Sequence, residues 1–137
     1  MNTLSNLSIL IGRVGLSAIF ILSGIAKLGP GYAATQGYME SMGVSGALLP
    51  LVIFAEIAGG LAVLSGFLTR WAAIGLAVFS VASAVLFHFQ LADQMQFINF
   101  YKNLAMAGGF LVLAAQGAGA FSIDGWLASR RADVGAR

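Results

Sequence analysis

The sequence predicts an all-α integral membrane protein organised as a four-helix bundle. Its 137 residues are 59% hydrophobic and only 9% charged, whereas soluble domains carry about 25% charged residues. The mean hydropathy is +0.91. Four apolar stretches are each long enough to cross a hydrocarbon core about 30 Å thick, which takes ~20 helical residues. They lie at approximately 7–28, 50–68, 71–91 and 98–116.

The first apolar stretch does not have the pattern of a cleaved secretory signal. The leader before it, residues 1–6, contains no basic residue. Arg13 interrupts the apolar run, and Lys27 follows it without the small-x-small pattern of a cleavage site. We therefore expect this stretch to be retained as the first helix, and the chain to form one transmembrane domain over residues 1–137.

Basic residues near the helix ends predict the orientation. Arg13 lies near the start of the first helix, where we expect its side chain to reach the membrane surface, and Arg70 lies in the short turn between the second and third helices. Three further arginines, the last of them Arg137, lie in the tail 121–137. Because Lys and Arg favour the cytoplasmic side, we predict an N-in, C-in topology with a cytoplasmic tail.

The first outer loop, residues 29–49, is the longer of the two outer connections. Its aromatic and methionine side chains predict a short interfacial segment, with Glu40 directed toward water. These side chains are Tyr32, Tyr38, Met39 and Met42.

One carboxylate, Glu56, lies well inside the second apolar stretch. A charge at that depth costs roughly 2.5–3.5 kcal/mol on insertion scales, so it normally faces protein or water and has a partner. Gly59 and Gly60 follow three and four residues later on the same helix face, where small residues let a neighbouring helix approach closely. We therefore expect Glu56 to face the interior of the bundle.

Polar residues of all four helices fall at the same depth as Glu56. With the predicted topology, the second and fourth helices begin at the outer side, and the first and third end there. The polar residues near these ends are predicted to form one outer layer: Lys27, Glu56, His88, Lys102 and Asn103. On the first helix, spacings of three and four place one predicted bundle-facing stripe at Arg13, Ser17, Phe20, Gly24 and Lys27.

Two interpretations of this outer polar layer stay open. In the first, Glu56 forms an ion pair with Lys102 or Lys27 that locks the helices together, and no ligand binds. In the second, the layer is a ligand site, because ionisable groups inside a membrane mark functional sites by default. Glu56 and Lys102 would then be the catalytic groups, and Lys27, His88 and Asn103 would bind the ligand.

Several chemistries are excluded by composition. The chain has no cysteine and one histidine, so it lacks thiol redox groups, thiolate metal ligands and a pair of axial haem ligands. The glycines at 117–119 follow no strand and so form no nucleotide loop. A net charge of +2, with basic residues spread along the chain, does not indicate nucleic-acid binding. We expect no metal site and no covalently bound cofactor.

Short segments along nearly the whole chain together form a recognisable pattern. They are RVG at 13–15, SGIAKL at 23–28, Glu56 with Gly59-Gly60, GFLTRWAA at 66–73, KNLAMAGGFLVL at 102–113, and Gly117-x-Gly119-x-x-Ser122-x-Asp124. In this order they resemble the DoxX family of small four-helix membrane proteins.

The resemblance implies a multi-pass protein of the bacterial inner membrane. Members are described as oxidoreductase subunits, and relatives include membrane subunits of thiosulfate:quinone oxidoreductase. The resemblance thus implies a membrane subunit of a redox system with a quinone-type ligand or another small molecule in the outer polar layer. Because the chain has no thiol, haem or flavin motif of its own, the redox group must be a bound small molecule or belong to a partner.

Other functions remain compatible with the sequence. The chain could be a non-enzymatic scaffold or assembly subunit for a partner enzyme, with the polar layer fixing the helix packing. It could also be a small transporter, which would require several copies because four short helices leave little room for a path. The partners to expect are the lipid bilayer, a small-molecule ligand, a soluble redox enzyme and further copies of the chain.

Overall fold

A computed structural model describes residues 2–135, and this range is helical without any β-strand. The predicted all-α class is therefore confirmed. A 3₁₀ turn, Gly46–Leu48, immediately precedes the third helix. The α-helices are α1 Thr3–Ala26, α2 Pro30–Ser41, α3 Leu49–Ser65, α4 Thr69–Phe87, α5 Gln94–Gln116 and α6 Ile123–Gly135.

Four of these helices, α1, α3, α4 and α5, are long and apolar enough to cross a membrane. They correspond to the four predicted spans, with ends that differ by at most four residues. The protein is thus a multi-pass membrane protein that sits in a lipid bilayer. Its orientation and its organisation as one domain over 1–137 stay predictions, and Arg137 lies outside the described residues.

The helix ends follow from local sequence. Asn2 caps α1 by accepting a hydrogen bond from the Ser5 backbone N–H at 2.8 Å. Pro50 lies in the first turn of α3, where a missing N–H costs nothing. Asp93 caps α5 by accepting from the Gln96 N–H at 2.9 Å. These residues mark where three of the four spans begin.

The four spans form a ring in which α1 packs mainly on α3 and α4 mainly on α5. Aromatic rings fill the centre: Phe20 of α1 meets Phe110 of α5 edge-on at 5.3 Å between ring centroids, and Phe79 of α4 at 6.0 Å. Val63 and Leu76 complete this core from α3 and α4. The predicted stripe on α1 is confirmed, since its buried residues are Arg13, Ser17, Phe20 and Gly24.

The glycine doublet of α3 faces two different neighbours. A Cβ atom at Gly60 would lie 2.7 Å from Ile21 Cγ1 of α1, and one at Gly59 would lie 2.9 Å from Leu76 Cδ2 of α4. Both glycines therefore permit close helix contacts, as expected of small residues in a membrane bundle.

Arg13 is buried, with 2% of its surface exposed, so the expectation that it reaches the membrane surface is wrong. Its guanidinium donates to the carbonyls of Val63 at 2.9 Å and Leu64 at 2.6 Å, at the C-terminal end of α3. It also donates to Ala118 at 2.8 Å and Phe121 at 2.7 Å, in the loop before α6. Helix C-termini leave carbonyls without intrahelical partners, and Arg13 supplies donors to them. We call this side of the bundle the Arg13 end.

Asp124 closes the turn between α3 and α4 at the same end. Its carboxylate accepts from the backbone N–H groups of Leu68 and Thr69, each at 2.9 Å, and its own N–H donates to Gly66 at 2.8 Å. Burial opposes ionisation, but the hydrogen bonds from Thr69 and Leu68 and the charge of Arg13 outweigh it. They hold the pKa of Asp124 below its ordinary value.

Candidate functional site

Glu56 forms an ion pair with Lys27 on the neighbouring helix. Lys27 Nζ lies 2.8 Å from Glu56 Oε1 and also donates to the Ser23 carbonyl at 3.3 Å. The two side chains are 22% and 7% exposed. Gly24 makes this approach possible, because a Cβ atom there would lie only 3.2 Å from Glu56 Cβ. Of the two partners expected for Glu56, the structure therefore selects Lys27 and not Lys102.

The second carboxylate oxygen of Glu56 is unpaired. Oε2 is buried and has no hydrogen-bond donor within the range 2–135. A buried acceptor without a donor costs about 1–3 kcal/mol, and more when it is charged. The ion pair thus satisfies only half of the carboxylate.

A small polar cavity of about 170 Å³ lies beside this ion pair. All five residues of the predicted outer layer line it: Lys27, Glu56, His88, Lys102 and Asn103. The structure therefore brings together every residue that the sequence placed at this level. Their catalytic and ligand-binding roles stay predictions. We call this side of the bundle the Glu56 end.

The other nitrogen groups of the cavity already have acceptors. Lys102 is exposed, and its Nζ donates to Asn99 Oδ1 at 2.9 Å. Asn103 is 7% exposed and donates to the Asn99 carbonyl at 2.9 Å. His88 Nδ1 lies 2.7 Å from Gln96 Oε1. Lys102 thus lines the cavity without forming an ion pair with Glu56, and of the two alternatives that the sequence left open, the pair with Lys27 is the one formed.

A second cavity, of about 740 Å³ and almost wholly apolar, lies between α3 and α4. Exposed hydrophobic residues on its rim, among them Leu51, Phe54 and Val78, lie within the two spans and so face lipid. The two cavities share part of their walls. The shared residues are Lys27, Glu56, Phe79, Ser83 and His88.

Small residues and the short helix α2 shape the apolar cavity. A Cβ atom at Gly75 of α4 would meet nothing within 4 Å, so this glycine leaves open space in the wall. At the Glu56 end, Tyr38 of α2 stacks on Phe87 of α4 with ring centroids 5.9 Å apart. Its hydroxyl donates to the Phe87 carbonyl at 3.3 Å. Met39 of α2 is buried against Leu49 and Ile53 of α3.

Sequence reasoning missed part of this site. Ser83 and Gly75 line the cavities, but a single serine or glycine in an apolar helix is common and indicates nothing alone. The packing of α2 against α3 and α4 could have been anticipated from Tyr38 and Met39, which were instead interpreted only as part of an interfacial segment. No group of three or more His, Cys, Asp or Glu residues that could hold a metal ion occurs within the part of the chain that the structure describes.

Comparison with known proteins identifies relatives over most of the chain. The Escherichia coli inner membrane protein YqjF is 48% identical over 124 residues, which cover 90% of this chain and 95% of that protein. The inner membrane protein YphA of the same bacterium is 34% identical over 123 residues, covering 85% and 87%. No solved structure matches the chain.

A match to a protein-family model identifies the family. The sequence model of the DoxX family matches residues 8–89, from the first turns of α1 to just beyond α4. With four candidate spans and relatives named as inner membrane proteins, the predicted location as a multi-pass inner-membrane protein is confirmed. The segments 13–15, 23–28 and 66–73, which suggested the resemblance, lie inside the matched range. The chain belongs to the DoxX family.

Proposed function

We propose that this DoxX-family protein is the membrane subunit of a redox system and binds an amphiphilic, quinone-type molecule at the Glu56 end. One observation carries this proposal. A polar cavity lined by all the charged and amide groups of the outer layer shares its wall with a large apolar cavity. A polar head group and an apolar tail would be accommodated side by side.

The apolar cavity has the size and lining of a ligand site. Small-molecule pockets span about 300–1,000 Å³ and are mostly apolar with a few placed polar groups. At about 740 Å³ the cavity falls within that range. Because its rim faces lipid, the ligand would enter sideways from the bilayer, where a long-tailed quinone is dissolved.

The chain itself contributes binding and proton handling rather than the redox group. It has no cysteine and only one histidine. Electrons would therefore reside on the bound ring and pass to or from a partner enzyme. Glu56 and Lys27 would exchange protons with the ring, and Lys102 and Asn103 would stabilise negative charge that develops on it.

A non-enzymatic scaffold is the alternative, and helix α6 favours it. None of the residues of α6 is buried, and the helix carries Arg130 and Arg131 on an exposed surface. Such a surface could hold a soluble partner. Under this alternative the Lys27–Glu56 pair only fixes helix packing.

The test of ligand binding compares two glycine substitutions. A Cβ atom at Gly75 or at Gly108 would meet nothing within 4 Å, but only Gly75 lines the apolar cavity. Gly75→Leu should fill the cavity without disturbing the fold, and Gly108→Leu is its matched control. We expect a benzoquinone with a ten-carbon tail to bind the wild type and Gly108→Leu equally in nanodiscs, and Gly75→Leu about tenfold more weakly.

Equal binding to all three proteins would contradict the proposed site. Native mass spectrometry of the protein extracted from its own membrane would then separate the two functions. A discrete small molecule that is lost in Gly75→Leu supports the redox subunit, whereas a complex with a soluble protein and no small molecule supports the scaffold.

We also propose the N-in, C-in orientation, which places the Glu56 end at the outer face. Ser41 at the end of α2 and Ser129 in α6 are both exposed. Because the chain has no cysteine, Ser41→Cys and Ser129→Cys each introduce one thiol. An impermeant reagent applied to whole cells stripped of their outer membrane should label Ser41→Cys only, and the reverse pattern would contradict this orientation.

A further inference from the structure

We propose that the site at the Glu56 end selects the reduced, hydroxyl-bearing form of its ligand, a quinol, over the quinone. This inference rests on the proposed function, because it assigns a preference to the same cavity. It comes from the balance of hydrogen-bond donors and acceptors around Glu56.

The first step is the unpaired acceptor. Glu56 is 5% exposed when its backbone is included, and its Oε2 atom has no hydrogen-bond donor in the described part of the chain. The contact of Oε1 with Lys27 at 2.8 Å is that of a carboxylate with an ammonium. The apolar surroundings make a missing hydrogen bond to charged oxygen more costly than it would be in water. A ligand that donates a hydrogen bond would relieve this cost.

The second step is that the nitrogen groups of the cavity do not distinguish the quinone from the quinol. The Lys27 ammonium contacts Glu56 and the Ser23 carbonyl. Lys102 and Asn103 donate to Asn99. An ammonium carries three N–H donors and an amide nitrogen two, so these groups keep donors for a ligand oxygen. A quinone carbonyl and a quinol hydroxyl oxygen can both accept from them, but only the quinol has an O–H to donate to Glu56 Oε2.

The third step concerns the two forms of the ligand. A quinone ring offers only carbonyl acceptors, while a quinol offers two O–H donors. An O–H donating to a carboxylate is roughly twice as strong as a hydrogen bond between neutral groups. The quinol can therefore pair with Glu56, and the quinone leaves Oε2 unpaired. Hydrogen bonds to charged groups contribute enough for at least about a tenfold difference in affinity.

A preference for the quinol changes the redox behaviour of the bound molecule. Tighter binding of the reduced form raises the midpoint potential of the bound couple. For a two-electron couple, a tenfold difference in affinity corresponds to about 30 mV. The bound quinone would thus accept electrons more readily than the same quinone free in the membrane.

The experiment measures the affinity of the wild-type protein, in nanodiscs and under anaerobic conditions, for three related ligands. Three ligands carry the same ring and ten-carbon tail: the quinone, the quinol, and the dimethyl ether of the quinol, which has the quinol shape but no donor. We expect the quinol to bind at least about tenfold more tightly than both others. Equal affinities, or tighter binding of the quinone, would overturn the inference while leaving the proposed function intact. No binding of any of the three would contradict the proposed function itself.

The Glu56→Gln variant tests whether Glu56 causes the preference for the quinol over the quinone. Gln at position 56 keeps an acceptor for Lys27 and replaces Oε2 by an N–H donor, so Glu56→Gln should favour the quinone over the quinol. Glu40→Gln makes the same chemical change at an exposed residue of α2 that lines neither cavity, and it should keep the wild-type preference. Loss of the preference in both variants would contradict the role of Glu56. If Glu56→Gln does not fold, the three-ligand comparison on the wild type still decides.

A lipid hydroxyl could supply the same donor. A monoacylglycerol with a ten-carbon chain therefore serves as a fourth ligand. We expect it to compete with the quinol only weakly, because it lacks the ring. Competition as strong as that of the quinol would overturn the assignment to quinols and identify the ligand as a hydroxylated lipid.

Discussion

The two ends of the bundle each bury a charged side chain, but they satisfy it to different degrees. At the Arg13 end, the guanidinium donates four hydrogen bonds to backbone carbonyls between 2.6 and 2.9 Å. At the Glu56 end, one carboxylate oxygen pairs with Lys27 and the other has no donor within the described residues. Both cavities border Glu56, and Arg13 lines neither.

This difference separates a structural charge from a candidate functional one. The partners of Arg13 are carbonyls of a helix end and a loop, which are fixed in place by the backbone and leave little for a ligand to add. Glu56 has a flexible lysine as its partner and open space beside it. A buried charge that is incompletely bonded next to a cavity is therefore the better guide to a binding site.

The largest loss of stability is expected from Arg13→Ala. It removes four hydrogen bonds that join α1 to α3 and to the loop before α6. At ~1 kcal/mol for each bond, the free energy of unfolding should fall by about 4 kcal/mol. Denaturant unfolding in detergent micelles measures this loss. A decrease smaller than that of Lys27→Met would reverse the proposed contrast between the two ends.

The second-largest loss of stability is expected from Lys27→Met. It leaves the buried carboxylate without its ion-pair partner, which costs about 3 kcal/mol or more. Because the damage comes from the uncompensated charge, adding Glu56→Gln in the same protein should restore most of the lost stability. Unfolding of the single and double variants tests this. A double variant as unstable as Lys27→Met would show that Lys27 acts through packing instead.

A smaller effect is expected from Gly24→Ala, which tests the α1–α3 side of the Glu56 end. The added Cβ would lie 2.5 Å from Ile57 Cγ1 and 3.2 Å from Glu56 Cβ. Overpacking of this kind costs about 1–3 kcal/mol. Gly15→Ala on the same helix meets nothing within 4 Å, so it should be neutral or stabilise by up to about 1 kcal/mol through helix propensity. Equal stability of the two variants would show that α1 and α3 are loosely packed beside Glu56.

The smallest effect is a pH dependence at the Arg13 end. Since the folded-state pKa of Asp124 lies below its ordinary value of 3.8, its carboxylate contributes stability fully above that value. The contribution is lost as the pH falls through the folded-state pKa. Unfolding measured between pH 6 and pH 3 should therefore show a decrease in stability for the wild type, and a smaller one for Asp124→Asn. Parallel curves for the two proteins would contradict the stabilisation of the α3–α4 turn by the Asp124 carboxylate.

The sequence was sufficient for the parts of the fold that depend on hydropathy and helix period. Four long apolar stretches predicted the four spans, and spacings of three and four predicted the buried stripe of α1. The depth of Lys27, Glu56 and His88 followed from counting residues along helices. None of these three inferences depends on which helices are neighbours in the bundle.

The parts that could not be predicted depend on which helices pack together. Lys27 and Lys102 lie at similar depths, and only the packing of α1 on α3 determines that Lys27 pairs with Glu56. Arg13 was expected at the surface because its position near a helix start allowed it. The carbonyls that it binds are 50 to 108 residues away in the chain, and no local pattern indicates so distant a contact.

The contacts of Arg13 also have a consequence for the order of biosynthesis. Arg13 is translated well before its acceptors Ala118 and Phe121, which follow 105 and 108 residues later. Asp124, which accepts hydrogen bonds from the backbone N–H groups of Leu68 and Thr69, is likewise translated after all four spans. A nascent chain can therefore insert its helices one by one, but the Arg13 end can be completed only after the last span has left the ribosome. Premature termination before residue 117 would leave an inserted bundle in which Arg13 lacks two of its four acceptors.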